Sequence, residues 1–145
     1  MFPSHDPADR LEYEVKGWGR DFINWSVEYG ALLGDTEQNE VWNNLAKLLE
    51  REFDHESGVT LKIQKMCVDS GFRTQKVYDW CRRFPISRVV AVKGSDVLQQ
   101  TVSLPKAVDV TSRGKKNRRG TKVFMVGSSN IKKEIYSWLK SEPPI

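Results

Sequence analysis

Metal chemistry in this chain has to rest on carboxylates. Only His5 and His55 offer imidazoles, and Cys67 and Cys81 have no second Cys or His at zinc-ligand spacing. A His-rich site is excluded, which leaves a hard, oxygen-bound ion such as magnesium or manganese. The most informative acid is Asp69. It follows the apolar run Met66-Cys67-Val68 and precedes Ser70-Gly71, so it stands at the end of a buried strand, on a rigid platform facing a crevice. The same Asp-Ser-Gly is also ordinary turn chemistry, and spacing alone leaves both readings open. Lys93 closes a second apolar run, Val89-Val90-Ala91-Val92, in an equivalent position. There it could hold a phosphate and stabilise charge developing on it, or be a surface lysine at a strand end.

A second kind of chemistry is carried by charge. Between Arg113 and Lys122 stand six cations, Arg113, Lys115, Lys116, Arg118, Arg119 and Lys122, without one acid. Glu50, Glu52, Asp54 and Glu56 gather in the first half instead, so a net charge of +4 hides an uneven distribution. Six like charges repel one another unless a polyanion neutralises them, which points to nucleic acid; a solvated charged loop is the plainer reading.

The elements that must position these groups follow from periodicity. Leu11, Tyr13 and Val15 alternate with charged residues, and Ile23, Trp25, Val27 and Tyr29 alternate again, predicting an antiparallel pair at 10–18 and 22–32. Val41, Trp42, Leu45, Leu48, Leu49 and Phe53 recur at helical spacing behind Asp35 or Thr36 as cap, predicting a helix over 37–53. A strand at 61–68, a helix at 74–84 ended by Pro85, and a buried strand at 89–92 follow. Residues 95–105 read as a loop. The basic segment reads as the tip of a long β-hairpin, and a last helix after Ser128 or Ser129 carries Ile131, Ile135, Trp138 and Leu139 on one face. Strand–helix–strand order implies parallel neighbours and the opening pair antiparallel ones, hence a mixed α/β sheet flanked by helices. In such sheets function gathers at the carboxyl ends of the parallel strands, where Asp69 sits.

At 145 residues, 39% hydrophobic and 29% charged, the chain is expected to form one globular domain over 1–145, with an irregular or truncated start at 1–9. No apolar run approaches the roughly 20 residues of a membrane span, and no signal peptide is visible. No Walker sequence, dinucleotide turn or Ser-His-Asp set is present, so no ATPase domain is expected in these residues. The two thiols read as a buried, reduced pair, and the five tryptophans mostly as core.

Several stretches, in order, resemble the nuclease domain of lambda-type (GpA family) large terminase subunits of tailed phages. They are Arg10 to Gly19, Glu40-Val41-Trp42, Val68-Asp69-Ser70-Gly71, Val77-Tyr78-Asp79, Ala91-Val92-Lys93-Gly94, Arg113-Gly114-Lys115, and Val126-Gly127 followed by Lys132 and Tyr136. The resemblance implies an RNase H-like sheet and a cluster of acids binding two divalent metals, Mg2+ or Mn2+, to cut concatemeric double-stranded DNA at packaging. It implies a small terminase subunit and the portal as partners, no membrane, and the host cytoplasm as location for a virus or prophage protein. It makes Asp69 the catalytic and metal-binding acid, with Lys93, Arg113, Lys115, Lys116, Arg118, Arg119 and Lys122 on DNA. The first family acid lies in a Gly-Val-Asp-Val-Gln run that an ungapped match sets on His5, with Asp6 one residue away as a second metal-ligand candidate; the third falls on Ser129. Strands 10–18 and 61–68 should then be parallel neighbours. A non-catalytic DNA-binding or docking module and a related metal nuclease such as a junction resolvase are the competing readings.

Overall fold

The computed structural model describes residues 8–109 and 120–141. Two compact units, 1–64 and 65–145, make up the chain.

In the first unit, β1 (Arg10–Trp18) and β2 (Asn24–Leu33) form the predicted antiparallel pair. Val15 faces Glu28 and Lys16 faces Ser26, so Val27 is an extra residue that bulges the ladder. Tyr13 Oη donates to Glu28 Oε1 at 2.6 Å, and Arg51 pairs with the same carboxylate. The Arg51 guanidinium and the Tyr13 hydroxyl together hold the Glu28 carboxyl below its usual range. Helix α1 (Asn39–Leu49) buries Val41, Trp42, Leu45, Leu48 and Leu49, the predicted face. Its first residue is not capped as expected. The Asp35 carboxylate accepts from the Glu37 amide in the turn before the helix, and the Thr36 hydroxyl donates to the Ala8 carbonyl. Trp42 Nε1 donates to the Thr36 carbonyl at 2.9 Å and anchors that turn in the core.

The helix ends at Leu49 rather than at Phe53, because Glu52–Asp54 (β3) pairs antiparallel with Thr60–Lys62 (β4). His55-Glu56-Ser57-Gly58 is the turn of that small hairpin, with Gly58 at φ +80° and its amide bonded to the His55 carbonyl. Periodicity could not separate the two, since Phe53 fits either pattern.

The second unit is built on a four-stranded sheet in the order β5-β6-β8-β7, comprising Met66–Asp69 (β5), Val89–Ser95 (β6), Lys106–Ala107 (β7) and Lys122–Gly127 (β8). β5, β6 and β8 run parallel; β7 runs antiparallel to β8. Helix α2 (Thr74–Cys81) buries Val77, Tyr78, Trp80 and Cys81, and the Trp80 ring meets Phe84 at 4.8 Å. Val89, Val90 and Ala91 are all buried, as a strand covered on both faces requires. Helix α3 (Ser128–Lys140) closes the unit, with Gly94 close under Ser128.

The mixed α/β character stands, and several expectations are corrected. The strand predicted at 61–68 is two strands, β4 and β5, in different sheets, and the pairing expected between 10–18 and 61–68 is replaced by β1 with β2 and β5 with β6. The α3 face is uncovered, since no residue of that helix is buried and Trp138 and Leu139 are 64% and 76% exposed. Trp42 and Trp80 are core, but Trp18, Trp25 and Trp138 are exposed. Cys81 is buried, whereas Cys67 is exposed on β5, the first strand of the order. Apolar spacing shows which residues share a face, not whether another element covers it.

Candidate functional site

The carboxyl edge of the parallel strands is set by Ser70. Its amide and its hydroxyl both donate to the Val92 carbonyl, at 2.8 and 2.9 Å, and its own carbonyl accepts from Thr74 Oγ1 at 2.7 Å. With 0% exposure, Ser70 ties the end of β5 to β6 and to the first turn of α2. Asp69 is therefore on a fixed mount, and it is exposed. Its Oδ1 accepts from the Gly71 amide at 2.9 Å, so the turn chemistry left open by the sequence is realised in the same residue that ends the strand.

Lys93 is exposed at the same edge. The register sets Asp69 opposite Val92, and side chains alternate along a strand. Lys93, one residue on, therefore belongs to the other face of the sheet. The two share an edge and not a face, which corrects the expectation of one shared crevice.

Ser129, in the first turn of α3, donates to Asp96 Oδ1 at 3.2 Å. Asp96 directly follows Ser95, the last residue of β6, and sequence reasoning missed it. The signal was partly available, because an acid at the end of an apolar strand is what singled out Asp69, although Gly94-Ser95 separates Asp96 from its apolar run. Beyond Asp96 the chain returns along β8. Asn130 Nδ2 donates to the Leu98 and Gln99 carbonyls, at 3.2 and 2.7 Å, and the Gly127 amide donates to Thr101. A side chain at Gly127 would lie 2.3 Å from the Gln100 carbonyl oxygen, so glycine is required there.

The basic segment meets the described structure at its two ends. Val108 donates to the Thr121 carbonyl, and Asp109 Oδ2 accepts from the Thr121 amide at 2.6 Å. Arg82, just after α2, reaches both ends: Nη2 pairs with Asp109 Oδ1 at 2.7 Å, and Nε donates to Thr121 Oγ1. Its Nη1 pairs with Asp79 Oδ1 at 2.7 Å. Burial pushes the Asp109 carboxyl up, but the Thr121 amide and the Arg82 charge outweigh it and hold the group below its usual range. A side chain at Gly120 would come within 2.4 Å of Asp109, so glycine allows this closure. Lys122 is exposed on β8. Arg113, Lys115, Lys116, Arg118 and Arg119, and with them the predicted hairpin tip, lie outside the described residues, as do His5 and Asp6.

Among the described residues, no three of His, Cys, Asp and Glu come together in a way that could hold a metal ion. Asp69 and Asp96 stand at the carboxyl ends of β5 and β6, and the position of the third expected acid holds a hydroxyl already bonded to Asp96.

The family described as "Terminase large subunit gpA, endonuclease domain" matches residues 6–144. No curated protein and no solved structure matches the chain.

Proposed function

This chain belongs to the endonuclease-domain family of terminase large subunit gpA, and on that premise we propose that it is the DNA-cutting module of a phage packaging machine. The observation that carries the reading is the match over 6–144, which takes in Asp69 at the end of a parallel strand. An RNase H-like architecture goes with it, supported by the parallel run β5-β6-β8 and the helices α2 and α3 that follow β5 and β8. The substrate is concatemeric duplex DNA, held by Lys93, Lys122 and the cations at 113–119. The small terminase subunit and the portal are its partners, and the host cytoplasm is its location. Among the described residues, no helix is long and apolar enough to cross a membrane.

Cleavage in this reading depends on divalent metal, Mg2+ or Mn2+, with Asp69 as the central ligand and Asp6 as a second candidate. Two such ions need several converging carboxylates, since one acid can neither offset both charges nor fix both positions. The described residues do not supply that set. The chain with its present residues is therefore expected to bind divalent metal weakly and to cut little.

Plasmid nicking in manganese tests this. The unmodified chain should give little or no nicked circle. Replacing residues 3–7 by Gly-Val-Asp-Val-Gln, together with Ser129→Asp, should give manganese-dependent nicking, and adding Asp69→Asn should remove it. Robust cutting by the unmodified chain, or restored cutting that survives Asp69→Asn, would overturn the site assignment.

A further inference from the structure

We propose that Phe72 is a stacking platform for an unpaired nucleotide beside Asp69. This contact rests on the reading of the chain as a DNA-cutting module, and it names a binding residue for the strand presented to that edge. Phe72 lies three residues past Asp69, in the loop that joins β5 to α2. The loop is tied at both ends. Ser70 is bonded to Val92, Thr74 Oγ1 donates back to the Ser70 carbonyl at 2.7 Å, and the Val77 amide donates to the Arg73 carbonyl at 3.0 Å. Phe72 shares the fixed mount of Asp69 and stays 45% exposed. One exposed phenylalanine is ordinary on a protein surface, but two features set this one apart. Arg73 holds φ 50° and ψ 41°, the left-handed region that a long side chain enters only at a cost. Its guanidinium lies over the Phe72 ring, 5.0 Å from the centroid, and restrains that ring beside a positive charge.

Charge selects the occupant. Among the described residues of the second unit, twelve Lys or Arg stand against five Asp or Glu; in the first unit six stand against twelve. The unit that carries Phe72 therefore attracts a polyanion. Nucleic acid adds a flat π-face at every nucleotide, and such a face stacks on an aromatic ring whatever the base. A base inside an intact duplex is covered by its neighbours on both sides. What Phe72 takes is a base out of the stack, at a bulge, a nick or a frayed end.

The test is fluorescence anisotropy of the full chain on labelled duplexes across a salt series. One duplex carries a single bulged thymidine, a second has an abasic site in the same place and so the same charge, and a third is fully paired. The unmodified chain should bind the bulged duplex about five- to tenfold more tightly than the abasic one, the low end of what a base–aromatic stack contributes. Phe72→Ala should bring the two to equal affinity, and so should Phe72→Leu, which keeps an apolar side chain without the π-face. Phe72→Trp should keep the preference, and circular dichroism verifies that each variant is folded. The slope of log affinity against log salt should be the same in all four proteins, because no charge changes. Equal affinity of the unmodified chain for the bulged and abasic duplexes overturns the proposal. So does a preference that survives in Phe72→Leu, which would mark a plain apolar contact, or one that is lost in Phe72→Trp. The paired duplex judges the underlying reading. Salt-sensitive binding to it without any base preference leaves the DNA reading standing and removes the platform alone; no binding to any of the three removes both.

Discussion

Ser70 is the smallest side chain on which the candidate site depends. A hydroxyl with no exposure to water needs a partner, and here the Val92 carbonyl takes both the hydroxyl and the amide of one residue. Ser70→Ala removes one of those two bonds and leaves a small void, so it should lower the unfolding free energy by about 1 kcal/mol, read from the urea midpoint. An unchanged midpoint would mean that the hydroxyl does not tie the strand end. Asp69 beside it was legible from sequence because a carboxylate directly after an apolar run gains nothing from packing, although β5 itself proves only half-buried. Its bond to the Gly71 amide was legible too, as turn chemistry. The face of Lys93 was not legible, since that depends on register, and register is fixed by the pairing of β5 with β6. Asp96 could have been found by a looser form of the rule that found Asp69, an acid just past an apolar strand; its link to Ser129 could not, because the two are 33 positions apart.

Elements were legible where periodicity is long and ambiguous where it is short. The β1–β2 pair and the core of α1 stand close to their expected limits, each spanning enough residues for period two and period 3.6 to differ. Phe53 and the run 61–68 are too short for that, and both resolved into small strands. Burial was the other blind point, since α1 and α3 carry similar apolar spacing but only α1 is covered. The difference is measurable. Leu49→Ala, at 0% exposure, should cost about 2–5 kcal/mol by opening a cavity in a packed face. Leu139→Ala, at 76% exposure, should change stability by less than about 0.5 kcal/mol. A loss at Leu139 comparable to that at Leu49 would show that the α3 face is covered in solution.

For the molecule as a whole, the parallel run β5-β6-β8 joins segments far apart in sequence, and strand pairings of that kind are intrinsically slow to form. The unit that holds Asp69 also holds Cys81, whose thiol is pushed up to about 12 by burial among the inward residues of α2. Partial desolvation raises the Cys67 thiol as well, against the opposing pull of Lys65, but Cys67 is exposed. Only the thiolate attacks a disulfide reagent, so the two cysteines differ in access and in ionisation together. In Cys67→Ser, the remaining thiol becomes a clock for the opening of this unit. Its reaction at mildly alkaline pH should be slow in native buffer and accelerate with urea well before the bulk transition if α2 lifts locally, or together with it if the unit opens as a whole. Rapid reaction in native buffer would show that the α2 face is not closed. A single sulfur atom, read by colour, would thus report how often the platform beneath Asp69 comes apart.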